Sequence, residues 1–137
     1  MTTLLKGGCI CGAIRYECTA EAVFSGNCHC RDCQQTSGGG FSPTFFVPSD
    51  AVKITGEVKY HAVKGGSGHD VNRGFCPTCG SHVFGKPAVV AGMIGIRAGS
   101  LDDPGMYRPS MDIFTASAQS WVFMDPDLPK FLGMPPQ

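Results

Sequence analysis

The sequence predicts a mainly β domain organised around clustered cysteines, and three observations carry that reading. Glycine and proline, 19 and 10 of 137 residues, punctuate the chain every few positions and leave little room for a long amphipathic helix. The apolar residues fall into short alternating or continuous runs, the pattern of half-buried strands. Seven of the eight cysteines gather in three tight groups, Cys9-Ile10-Cys11, Cys28-His29-Cys30-Arg31-Asp32-Cys33 and Cys76-Pro77-Thr78-Cys79, a spacing that marks ligand sets.

Alternation predicts a first strand over residues 10–18. It puts Ile10, Ile14, Tyr16 and Cys18 on one face and Cys9, Cys11, Arg15 and Glu17 on the other. Cys18 thus reads as a small buried hydrophobe and not as a ligand. Further strands are expected over residues 44–47, across Val52, Ile54, Val58 and Tyr60 with Gly56 between them, along the glycine-interrupted run 89–96, and over 111–115. Helix is expected only in short pieces, just after Cys33 and over 116–122. Prolines at 126, 129, 135 and 136 forbid regular structure in the tail, which is expected to lie along the body anchored by Phe131 and Trp121. The glycine runs 37–40 and 65–68 read as turns, the first allowing close backbone approach, the second a hairpin connection or a mobile lid.

A chain of this length is expected to fold as one domain over 1–137, and its 42% hydrophobic content supplies a core, which argues against disorder. The 11 basic and 11 acidic residues sum to zero. No broad basic field results, so neither nucleic acid nor a membrane surface is the expected partner, and small-molecule chemistry is favoured. With no cationic leader and no apolar run of about 18 residues, the protein is expected to be cytoplasmic. A reducing compartment makes clustered cysteines metal ligands or catalytic thiols in preference to disulfides.

Cys76-Pro77-Thr78-Cys79-Gly80 has the form of a zinc knuckle. Two thiolates converge on one ion at about 2.3 Å, and the glycine admits a positive φ. Two more ligands must come from elsewhere. Either Cys9 and Cys11 supply them, leaving Cys28, Cys30 and Cys33 as a three-thiolate group, or Cys30 and Cys33 do, leaving Cys9, Cys11 and Cys28. The first pairing is preferred, because it keeps the compact middle group on one ion. A four-sulfur site is closed and structural, whereas three ligands leave a position for water or substrate. In a competing reading both clusters serve stability alone, with His29, His69 or His82 completing the second.

Together, Gly8-Cys9-Ile10-Cys11-Gly12, Cys28 through Gln34, and Phe75-Cys76-Pro77-Thr78-Cys79-Gly80-Ser81 resemble the glutathione-dependent formaldehyde-activating enzyme family, which includes centromere protein V. Asp112-Ile113-Phe114, Ser120-Trp121-Val122 and Leu128-Pro129-Lys130-Phe131 resemble its C-terminal pattern. The resemblance implies a β-tent fold of coiled antiparallel sheets with two zinc ions. One is structural, on Cys9, Cys11, Cys76 and Cys79; the other, on Cys28, Cys30 and Cys33, lies near a glutathione site. It further implies condensation of glutathione with formaldehyde to S-hydroxymethylglutathione, a carbon–sulfur lyase reaction read in reverse. Within that reading His29 and Asp32 are the expected proton-handling groups, and Arg31 and Arg73 the expected partners of glutathione's carboxylates. Two other classes stay open: a non-catalytic glutathione carrier, and a structural zinc module for protein interaction.

Overall fold

The computed structural model describes residues 2–136. In chain order its elements are β1 (Leu5–Gly8), β2 (Arg15–Cys18), β3 (Phe24–Cys28), α1 (Arg31–Ser37), β4 (Ser42–Pro48), β5 (Val52–Thr55), β6 (Lys59–Lys64), β7 (Asp70–Phe75), β8 (His82–Pro87), β9 (Met93–Arg97) and β10 (Asp112–Ile113). A three-stranded sheet has the order β1-β2-β5, and a seven-stranded sheet the order β10-β3-β4-β9-β8-β7-β6. Neighbours pair antiparallel except β10, which lies parallel to β3. The protein is mainly β with little helix, a β-tent of two sheets.

Side-chain alternation explains both faces of the large sheet. Register places Phe45 opposite Ile96, Val47 opposite Ile94, and Phe84 opposite Ile96, so these five share one face. All are nearly solvent-free, and they form the core with Tyr16 and Cys18 of the small sheet and Ile14 just before it. Tyr16 meets Phe84 edge-on, ring centroids 5.6 Å apart. The intervening residues necessarily point the other way. Phe24 opposes Phe46, Gly26 opposes Thr44, Thr44 opposes Arg97, Phe46 opposes Gly95, and Arg73 opposes Gly85, which in turn opposes Gly95. That second face lines a cavity.

Several elements depart from the sequence expectation. The first strand begins at Arg15, because residues 9–14 form a turn in which Gly12 takes φ 82°. Its amides serve Cys9: Gly12 N–H donates to the Cys9 carbonyl (3.1 Å) and Ile14 N–H to Cys9 Sγ (3.2 Å). Ile10 is consequently 88% exposed, while Ile14, Tyr16 and Cys18 share the buried face as expected. Gly56, at φ 99°, separates β5 from β6, and Gly92, at φ 79°, delays β9 until Met93. Residues 116–122 do not form an α-helix. A 3-10 turn, Thr115–Ser117, follows Phe114, the one non-glycine with positive φ (55°) among the described residues. Trp121 is 70% exposed, with one edge of its ring lying over Gly40 beside Val122. The tail is tied down by backbone bonds: Asp112 N–H to the Pro129 carbonyl, Phe131 N–H to that of Asp112, and Thr115 N–H to that of Phe131. No helix among the described residues is long and apolar enough to cross a membrane.

Candidate metal centres and active-site cavity

Two turns build the four-sulfur cluster. Cys9 and Cys11 lie on the turn after β1, and Cys76 and Cys79 on the turn between β7 and β8. In the second turn Gly80, at φ 78°, donates to the Cys76 carbonyl (2.8 Å), and Cys79 N–H points at Cys76 Sγ (3.5 Å). Ile10 N–H reaches across to Ser81 Oγ (3.2 Å), joining the turns. The four sulfurs lie within 4.8 Å of one another. A tetrahedron with bonds of about 2.3 Å has sulfur–sulfur edges of about 3.8 Å. Cys9–Cys11 and Cys11–Cys76 stand at 3.6 and 3.7 Å, far beyond disulfide distance. Hydrogen bonds from the Ser81 hydroxyl and amide pull the Cys79 thiol down to about 5. This set can hold a metal ion and is compatible with zinc.

Cys28, Cys30 and Cys33 form the second cluster, their sulfurs also within 4.8 Å. Cys28 ends β3, Cys30 caps α1 by accepting Cys33 N–H (3.3 Å), and Cys33 lies inside the helix. Hydrogen bonds from Cys28 and Cys30 draw the Cys33 thiol down to about 2, and the charges of Arg97 and Arg73 add to the effect. Cys28 is pushed up by the same sharing with Cys30 and Cys33. Cys30 is raised as well, so the negative charge rests on Cys33, beside two guanidiniums, and three clustered sulfurs are the donor chemistry a soft divalent ion takes. The cluster lines a cavity of about 460 Å³ whose wall includes Asp32, Thr44, Arg73 and Arg97 among many apolar residues. Arg73 is only 6% exposed, and its Nη2 stands 3.9 Å from Cys33 Sγ. Arg97 donates to Thr44 Oγ1 at 2.8 Å.

The sequence matches the family described as glutathione-dependent formaldehyde-activating enzyme over residues 4–117. The chain belongs to that family. Proteins bearing the family's name from Colletotrichum graminicola, Phaeosphaeria nodorum and Penicillium rubens are 28%, 30% and 30% identical over 77%, 82% and 80% of this chain. The chain spans 61%, 63% and 59% of their lengths. A crystal structure of a Rhodobacter sphaeroides protein superposes with TM-score 0.55 over 71% of this chain and 87% of that one at 20% identity, showing a shared fold.

The family's cysteine motifs therefore fall into two spatial groups, four and three, the pairing preferred on spacing. The other expected site residues disperse. Asp32, in the first turn of α1, lines both the large cavity and an adjoining one of about 170 Å³. Arg73 lines both as well. His29 is not part of the sulfur group; it is 1% exposed, its Nε2 2.8 Å from Asp112 Oδ1 and its ring 5.2 Å from that of Phe41. Arg31 is exposed, bonds to Gln34 Oε1, and lines neither cavity. The glycines at 37–40 do not line a cavity either; Gly38, at φ 75°, terminates α1. The 65–68 run is the β6–β7 hairpin connection, and its Gly65, Gly66 and Ser67 form part of the large cavity's wall.

Sequence reasoning missed Arg97 and Thr44, and it considered His82 only as a ligand completing the second sulfur site, a group it does not join. The period-2 pattern could have found Arg97, a cation placed between buried Ile96 and Ala98 and so on the face opposite the core. His82 stacks on Phe75 (5.6 Å) in the smaller cavity. Burial, with the Arg97 and Arg73 charges, lowers its pKa below 6.5 and keeps the ring neutral near pH 7.

Proposed function

We propose that this protein adds the thiol of glutathione to formaldehyde, giving S-hydroxymethylglutathione, with zinc at both sulfur clusters. The observation that carries the reading is the three-sulfur group opening onto a cavity beside two guanidiniums. Cys9, Cys11, Cys76 and Cys79 form the closed, structural site. Zinc on Cys28, Cys30 and Cys33 would favour thiolate over thiol at the one position these ligands leave open. Arg73 and Arg97 offset the charge of the sulfur set and make the cavity receptive to an anionic thiol. Asp32, at the junction of the two cavities, takes the proton the thiol gives up and returns it to the product oxygen. His29 acts as a positioning residue, its bond to Asp112 fixing the chain between Cys28 and Cys30. The exposed side chain of Arg31 braces α1 through Gln34.

The test starts with zinc per chain and the rate of S-hydroxymethylglutathione formation over the protein-free reaction. Two zincs and a rate enhancement are expected. Cys30→Ser should lose one zinc and the enhancement while remaining folded, whereas Cys76→Ser should lose the fold. A protein that binds glutathione without accelerating the reaction is a carrier, and the enzyme reading falls.

A further inference from the structure

The large cavity is poorly matched to a one-carbon substrate. Formaldehyde has two heavy atoms and is close in size to water, whose share of liquid volume is about 30 Å³; the cavity is about 460 Å³. Its wall is predominantly apolar. Phe24, Phe46 and Met93 present the outward face of the large sheet, and Met111, Ile113 and Phe114 complete the enclosure. Gly85 and Gly95 pair directly; a Cβ on Gly95 would press on the Phe46 ring at 3.0 Å, whereas one on Gly85 would meet only Arg97 Nη2, at 4.0 Å, so the open space lies over Gly85. Glutathione, with two carboxylates and an ammonium, is matched by the arginine and sulfur end of the cavity and leaves the apolar wall to the other reactant. A second observation concerns Arg73. Its Nε and Nη1 are buried and have no hydrogen-bond partner, although its Nη2 adjoins Cys33. Buried donors left unpaired beside a reactive centre call for an acceptor on the ligand.

We propose that the carbonyl substrate of this centre is an aldehyde with an apolar body of several carbons, alkyl or aryl. Its oxygen sits on Arg73 Nε and Nη1, and its body lies against Phe24, Phe46 and Met93. This rests on the thiol-addition reading above. In the reaction the sulfur electron pair forms the carbon–sulfur bond and the carbonyl π pair moves onto oxygen. The proton lost by the thiol then reaches that oxygen. Nothing is oxidised, and no group leaves. Arg73 meets the negative charge where it develops, the arrangement that favours the transition state over the ground state.

The test uses zinc-loaded protein and inert carbonyl probes, the primary amides from acetamide to octanamide, titrated calorimetrically. Affinity should tighten about threefold to fourfold per added methylene. Arg73→Gln should weaken every amide by a similar factor and leave the slope intact. Gly85→Val, which fills the open space over Gly85, should flatten the slope for the longer members. A flat series on the native protein overturns the proposal without any variant. A slope shown by n-alkyl carboxylates but not amides also overturns it, since the ligand is then an anion held by Arg73 and Arg97. Adduct formation with glutathione separates this inference from the reading beneath it. Acceleration with formaldehyde but not octanal, with a flat amide series, removes the apolar aldehyde and leaves thiol addition standing. A sloped amide series with no acceleration for either aldehyde removes thiol addition and leaves the carbonyl site.

Discussion

Individual side chains show how sequence neighbours diverge in three dimensions. His29 lies between two proposed metal ligands, yet its imidazole is buried against Asp112, whose other oxygen is 3.8 Å from Lys130 Nζ. Asp112→Ala removes the hydrogen-bond partner of the buried His29 Nε2 and should cost about 1–3 kcal/mol. Thermal unfolding should show the loss while zinc content stays at the native value; a lost zinc would give His29 a direct part in the metal site. Tyr16 is as well buried, its hydroxyl 2.7 Å from Ser100 Oγ. Burial pushes its pKa from 10 up to about 12. The folded state therefore retains a proton that the unfolded chain releases near pH 10, so this stabilisation is complete below pH 10 and fades as pH climbs toward 12. Urea midpoints at pH 8 and 11 should fall further apart for the native protein than for Tyr16→Phe. Equal differences would show that the Tyr16 hydroxyl does not carry the effect.

At the scale of elements, the short helix matters for how it is clamped. Gln34 Nε2 donates to the carbonyls of His29 (2.8 Å) and Ser117 (2.9 Å), and its Oε1 accepts from Gln119 Nε2 (3.2 Å). The residue is nearly buried. It joins α1, which carries Cys30 and Cys33, to the segment after β10. Gln34→Ala should cost about 2 kcal/mol from two lost bonds, one to a buried and one to a half-buried carbonyl, and should raise amide exchange around residues 115–119 ahead of the sheets. Unchanged exchange there would mean the segment is held by other contacts. The large sheet makes a complementary point. Its core face is legible as buried Phe45, Val47, Ile94 and Ile96, but β3, β7 and β8 were not expected from sequence. Their cavity-side positions mix Phe24, Val71 and Pro87 with Gly26, Gly85, Cys28 and Arg73, so the regular alternation that marks a strand is broken on the face where the chemistry lies.

For the whole molecule, the four-sulfur cluster is a latch. Its halves sit on the turn leaving the small sheet and on a hairpin of the large one, about 65 residues apart in sequence. A metal ion there would hold the two sheets around the core containing Tyr16 and Phe84. Stripping it with a chelator should lower Tm by more than about 10 °C, as expected when a structural zinc contributes several kcal/mol to folding. A shift of one or two degrees would show that the apolar core alone secures the sheets.

The sequence by itself determined the mainly β class, the grouping of seven cysteines, the burial of Cys18 and the family. These depend on local spacing, residue type and period, which a one-dimensional pattern carries. Tertiary structure alone decided which groups meet: that Arg97 and Arg73, from strands separated by β8 in the sheet, face one sulfur cluster, that His29 pairs with Asp112, and that the space beside the cluster is large and apolar. Such facts follow from strand register and sheet packing. A shift of one residue in register would exchange the core and cavity faces, and no local run of sequence fixes that choice.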